Sequence, residues 1–171
     1  MFLIDDSACI RGNSSVWSDI RRSLAIFVHY ATIYDEDGVD LAFIHTGNQY
    51  QGITSGTDLM TLFDKERISG VSRSLSLSLD RHLATYKKKY QDQTEQGMFP
   101  KPLNLIVLTS GGPGAMDDFE NTVIRYATLF EDMNAPMMQL GIQFVLIHSQ
   151  PEDQLRFQLL DDISLRKPQI R

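Results

Sequence analysis

Short, near-continuous apolar runs, separated by segments of helical period, constrain this chain most. The first run, residues 1–4, passes straight into Asp5-Asp6-Ser7-Ala8-Cys9. Further runs occupy 39–45, 103–109 and 141–147, and a shorter one occupies 50–53. Strands apolar on both faces belong to sheets covered on both sides, and their alternation with helices predicts a parallel sheet. The fold class expected is α/β: three layers, a doubly wound, mostly parallel sheet, helices on both faces. Residues 50–53 are expected at a sheet edge. Such sheets bind ligands beyond the carboxyl ends of their strands, where strand order reverses. Asp5-Asp6-Ser7 and Thr109-Ser110-Gly111 are the two suggestive strand endings, and they form one site if their strands are neighbours.

The intervening segments read as helices. Ile20, Leu24, Phe27, Val28 and Ala31 fall on one helical face, after a loop over 5–15. Thr57 is expected to cap a short helix bearing Leu59, Met60, Leu62 and Phe63. Residues 72–79 alternate like a strand, but Leu79, Leu83 and Tyr86 continue at helical spacing, so loop turning into helix is preferred. A helix is expected over 117–134. Ser149 and Glu152 predict a capping box for a last helix with Leu155, Leu159 and Leu160, closed by Pro168.

Composition narrows the function classes. At 171 residues the chain is expected to be a single domain over 1–171. A net charge of −6 opposes nonspecific binding to nucleic acid or anionic membrane. The only basic run, Lys87-Lys88-Lys89, reads as a solvated helix end. A single cysteine, Cys9, excludes an intrachain disulfide and a cysteine zinc site. It favours a reducing compartment, and a cytoplasmic location is expected. A strand beginning at Met1 is also consistent with a domain cut from a longer protein.

With these residues in place, the chain resembles a von Willebrand factor type A domain, of the intracellular type common in fungi. Phe2-Leu3-Ile4-Asp5-Asp6-Ser7-Ala8-Cys9 is similar to the family's opening strand and Asp-x-Ser-x-Ser motif. Trp17 with Asp19 resembles its Trp-x-Glu, and Asp35-Glu36-Asp37-Gly38-Val39-Asp40-Leu41 its Asp-x-Asp-Gly-Ile-Asp turn. Asn134-Ala135-Pro136, with Leu140-Gly141-Ile142-Gln143-Phe144, resembles another family segment, and Leu160-Asp161-Asp162 its Leu-Asp-Asp. The resemblance implies a metal-ion-dependent adhesion site at the top of the sheet and noncatalytic binding of a protein partner.

The match is degenerate at that site. Asp5 and Ser7 fit the metal positions, but Cys9 stands for a second Ser and Ser110 for a second Asp. Arg73 falls on the position of a ligand Thr, and a shift of one residue brings Ser72 or Ser74 there. Mg²⁺ wants hard oxygens in octahedral array, so no cofactor is expected, an occupied Mg²⁺ site being the alternative. Arg73 is expected to supply positive charge to Asp5 and Asp6 itself, against the plainer reading of an exposed arginine. Asp6, Cys9, Ser72, Arg73, Ser74, Ser110 and Asp117 are the candidate partner-binding residues around the degenerate metal pair Asp5 and Ser7.

Other features have plainer explanations. Gly111-Gly112-Pro113-Gly114 lacks the Lys and Ser/Thr of a phosphate loop and reads as a turn. Asp117 and Asp118 suit a helix start. His29, His45, His82 and His148 show no ligand spacing and are read as structural. Met133, Met137 and Met138 are expected to pack at a helix end. A phosphatase of the haloacid dehalogenase type is the remote alternative function, but it needs an Asp where Ser7 stands.

Overall fold

The computed structural model describes residues 1–66, 73–111, 118–147, 149–155, 157 and 158. The elements run β1 (Phe2–Ile4), α1 (Ala8–Arg11), α2 (Ser14–Tyr34), β2 (Val39–Phe43), β3 (Gln49–Ile53), α3 (Gly56–Lys65), α4 (Leu75–Glu95), β4 (Leu103–Thr109), α5 (Phe119–Asp132) and β5 (Leu140–Leu146). A 3-10 turn, Met137–Gln139, precedes β5, and residues 151–155 are helical.

One five-stranded sheet has the order β3-β2-β1-β4-β5. β1 pairs in parallel with β2 on one side and with β4 on the other, and β4 pairs in parallel with β5. β3 is antiparallel to β2 at the edge. The connection leaves β1 one way to β2 and returns the other way to β4, so strand order reverses at β1. The carboxyl ends of β1 and β4 therefore meet, with Ile4 beside Leu108.

Side chains alternate across the sheet and feed two cores. Phe2, Ile4, Leu41 and Phe43 face Val16, Ile20, Leu24 and Val28 of α2, with Leu59 and Phe63 of α3. Leu3, Ala42, Leu105 and Val107 face Leu75, Leu79 and Leu83 of α4, with Phe119 and Tyr126 of α5. Three layers result.

Local chemistry moves several boundaries from their expected places. The loop over 5–15 contains a helical turn, α1, before Asn13 caps α2 by accepting from the Val16 amide. Ser55, rather than Thr57, caps α3, its hydroxyl accepting from Asp58. Ser74 caps α4 by accepting from Leu77, which resolves the alternating 72–79 stretch as helix from Leu75 onward. Phe27 lies only at the margin of the buried face, 45% exposed, with its ring edge against Phe2. Met137 and Met138 do not pack in the core; both are exposed, whereas Met133 packs against the Tyr86, Tyr90 and Phe130 cluster. Leu159, Leu160, Asp161, Asp162 and Pro168 lie outside the described residues.

The middle layer sets the stability. Leu3→Ala in the central strand should cost about 3 kcal/mol in urea-unfolding free energy, since Leu3 is fully buried. Leu77→Ala, on the exposed side of α4, should cost under about 0.5 kcal/mol.

Candidate functional site

β1 ends where its sequence turns from apolar to acidic, and both carboxylates are buried there. A buried carboxylate is tolerable only if donors replace the water it has lost. Asp5 finds five. Its Oδ1 accepts from the Ser7 amide at 2.9 Å and stands 3.3 Å from Nε2 of His45. Its Oδ2 accepts from the Thr109 hydroxyl at 3.1 Å, the Ser110 amide at 3.0 Å and the Ser110 hydroxyl at 2.9 Å. Burial disfavours the charged form, but the His45 ring and the Ser110 and Ser7 donors outweigh it and hold the carboxyl well below the usual carboxylate range.

Asp6 turns the other way and staples the β2–β3 turn. Its Oδ1 accepts from the His45 amide at 2.6 Å and its Oδ2 from the Thr46 amide at 3.0 Å. The adjacent carboxylates thus divide the work: Asp5 ties β1 to β4, and Asp6 ties β1 to the turn after β2.

His45 joins the two systems. Its Nδ1 accepts from the backbone amide of Arg73 at 3.1 Å. The neutral ring then carries its proton on Nε2, the atom aimed at Asp5. The Asp5 carboxylate raises the His45 pKa while burial lowers it, the carboxylate prevailing. Through this one imidazole the start of α4 is fastened to the end of β1.

Arg73 does not play the part expected of it. Among the described residues no ion pair joins it to Asp5 or Asp6, and His45 stands against the Asp5 carboxylate instead. The guanidinium lies over Gly47, where a Cβ would come within 1.8 Å of its Nη1. Gly47 has φ +74°, so the backbone favours glycine there, while the Arg73 tip could shift away from a Cβ. The physical reason for the exchange is reach: the β2–β3 turn delivers an imidazole from beside the carboxylate, while Arg73 approaches from outside that turn.

A second buried acid braces the same end of the sheet. Glu66, closing α3, accepts from the Asn48 amide group and from the Tyr50 hydroxyl at 2.7 Å. Its carbonyl accepts from Arg11 of α1. Burial, then the hydrogen bond and charge of Glu66, push the Tyr50 hydroxyl up to about 12.

The remaining candidates are dispersed. Ser110 belongs to the Asp5 cluster. Cys9 is exposed on α1, and Ser74 is exposed as the cap of α4. Ser72 and Asp117 lie outside the described residues, as do Gly112, Pro113, Gly114 and His148. His45 is the residue that sequence reasoning missed. Its only signal was its position, at the end of an apolar run that a parallel sheet sets beside the first.

The donor set does not suit Mg²⁺. A hard dication needs free oxygen lone pairs, and those of Asp5 face five donors. Ser110 Oγ is engaged with Asp5 and the Cys9 thiol is soft, which leaves, among the described residues, two buried, unpartnered hydroxyls near the cluster, Ser7 Oγ and Thr46 Oγ1 of the β2–β3 turn. Neither of two clefts, of about 540 and 630 Å³, is lined by Asp5, Ser7, His45 or Ser110. The first lies at the amino ends of β1 and β2, and the second lies along β5. Among the described residues no helix is long and apolar enough to cross a membrane.

No protein-family model matches this chain, and no curated protein or solved structure is significantly similar to it.

Two outcomes follow from the cluster. Asp5 has a depressed folded pKa, so its stabilisation is present above its unfolded value of about 3.9 and disappears as pH falls through the folded value. In urea melts from pH 6 downward, the stability advantage of wild type over Asp5→Asn should therefore shrink steadily below about pH 4. His45→Ala removes the ring facing Asp5 and the acceptor of the Arg73 amide, and should cost about 2 kcal/mol at pH 7. Hydrogen exchange should then speed up at Arg73 and leave the β4–β5 ladder protected.

Proposed function

We propose that this chain is a noncatalytic interaction domain of the von Willebrand factor type A kind, binding a protein partner through the loops at the carboxyl end of its sheet. The observation that carries the reading is Asp5, a buried charge at the point where strand order reverses, fully engaged by the fold's own donors. That position is where open α/β sheets place their ligands. The strand order β3-β2-β1-β4-β5 and the motifs of the opening strand support the family resemblance.

The chemistry left at this end supports binding rather than turnover. A phosphatase nucleophile would need a free oxygen on Asp5, and each of its oxygens already faces at least two donors. The surface around the buried charge offers an exposed thiol at Cys9, an exposed hydroxyl at Ser74 and the half-buried Arg73. Such a set suits recognition of a folded partner by shape and neutral hydrogen bonds. The partner is not nucleic acid, given the acidic balance of the chain, and a reducing, cytoplasmic setting suits the free Cys9.

Two measurements test this. The thermal midpoint in millimolar Mg²⁺ should equal that in EDTA; a clear rise with Mg²⁺ would favour an occupied metal site instead. Quantitative affinity enrichment from the source cells should recover a partner that is lost with the top-loop pair Cys9→Arg and Ser74→Arg. The same partner should be retained with Gln91→Arg, at an exposed position on α4. Equal recovery by both variants, each with an unchanged melt, would move the partner site away from these loops.

A further inference from the structure

The second half of α2 is built unlike a helix with one wet face. Ser23 to Tyr34 carries no formally charged side chain. Leu24 and Val28 are buried against the sheet, as one face of an amphipathic helix should be. Yet Ile26 is 54% exposed, Tyr30 59%, Ile33 64% and Tyr34 90%. At 100° per residue, Arg22, Ile26, Tyr30 and Ile33 stand in a single line (i, i+4, i+8, i+11) on the outer side. Phe27 and Tyr34 flank that line.

The size of this stripe matters. Counting aromatic side chains at their usual burial, Ile26, Phe27, Tyr30, Ile33 and Tyr34 offer roughly 700 Å² of accessible surface. That exceeds the largest apolar patch of an ordinary monomer and approaches the roughly 800 Å² per partner of a standard interface. Leaving it in water is costly, so it calls for an occupant.

We infer that the occupant is a second copy of this chain, packed antiparallel, α2 against α2, about a two-fold axis near Tyr30. Charge placement along the stripe carries the choice. Its upper end holds Arg22, whose contact with Asp19 is loose, at 3.8 Å with both side chains exposed. Its lower end runs into the acidic turn Asp35-Glu36-Asp37, where Lys101 binds Asp35 and Asp37 and Glu36 is exposed. Arg22 lies about 12 Å above Tyr30 along the axis, and the acidic turn begins about 7 Å below it, so the midpoint between Arg22 and Glu36 falls at His29, one residue before Tyr30. A two-fold axis between His29 and Tyr30 therefore sets Arg22 of each copy opposite Glu36 of the other, with the neutral residues 23–34 between them and Asp35 already neutralised by Lys101. In a chain of net charge −6, an uncharged stripe with opposite charges at its two ends is self-complementary, as an isologous interface must be. A parallel pairing would place Arg22 against Arg22. The interface is independent of the loops at the carboxyl end of the sheet, because α2 runs down the face of the sheet away from them.

The test is the mass of the full chain by sedimentation equilibrium. At roughly 100 µM wild type should sediment at twice the monomer mass. Ile26→Asp with Ile33→Asp should sediment as a monomer that still melts cooperatively, both positions being exposed. Arg22→Glu should weaken the dimer by about tenfold, and adding Glu36→Arg in the same chain should restore it. In a Cys9→Ala background, Tyr30→Cys should form a disulfide-linked dimer on mild oxidation, and Gln91→Cys should not. A wild type that stays monomeric at that concentration overturns the proposal. So does a dimer indifferent to the Ile26 and Ile33 substitutions, or a monomer whose stripe variants lose a different bound protein.

Discussion

The buried carboxylate of Asp5 sets the terms for the rest of this fold. Placed at the end of the central strand, it stands where three other backbone segments must come close. Stripping a carboxylate of water costs several kcal/mol unless donors replace the lost hydrogen bonds. Those donors come from its own loop at Ser7, from the turn after β2 at His45, and from the end of β4 at Thr109 and Ser110. Each must arrive in register, so the charge acts as a geometric lock on the carboxyl end of the sheet. Hydrophobic burial brings the layers together without direction; the carboxylate selects one arrangement of the loops.

The lock extends outward in steps. His45 carries it to the residue before the Ser74 cap of α4 by accepting the Arg73 amide. Asp6 fixes the backbone of the turn that holds His45, so the imidazole is positioned by one carboxylate and faces the other. Gly47 then lets the Arg73 side chain lie flat on that turn. Glu66 does for α1, α3 and β3 what Asp5 does for β1 and β4, gathering Arg11, Asn48 and Tyr50 around one buried acid. Three buried acids, Asp5, Asp6 and Glu66, therefore organise this end of the molecule. At its opposite end the buried bonds are neutral, as between Tyr86, Gln139 and the Pro100 and Lys101 carbonyls, and the charged pairs of Lys101 with Asp35 and Asp37 lie exposed.

Much of the architecture was legible in the residues because it follows from periodicity. Near-continuous apolar runs mark strands covered on both faces, and β1, β2, β4 and β5 all lie close to where those runs predict. The adjacency of β1 and β4 was readable only as a condition, since strand order is a property of the whole chain. His45 was not readable as a site residue: a histidine alone after an apolar run has no partner within its own sequence window. Its partners, Asp5 and Arg73, lie 40 and 28 positions away. Arg73 misled for the same reason, its charge being visible and its direction not. Met137 and Met138 were assigned to the core on residue type, whereas the 3-10 turn holding them points both into solvent.

Phe27 shows how periodicity blurs when a helix has two apolar faces. Ile20, Leu24, Phe27, Val28 and Ala31 form a proper stripe, and a reading that seeks one stripe stops there. Ile26, Tyr30 and Ile33 form another, offset by about 160° from Leu24 and Val28 taken together. Burial against the sheet explains the first and leaves the second unexplained. A monomer would gain by placing charged residues there, as it does at Asp19, Arg21 and Arg22 one turn earlier. Isoleucine and tyrosine in place of charge over the next three turns is what the proposed α2–α2 contact would cover. The loops around Asp5 have the opposite character: their charge is consumed inside the fold, and what reaches the surface is small and largely neutral. The two proposed binding faces would thus rest on different forces, apolar area along α2 and shaped polar contact at the end of the sheet.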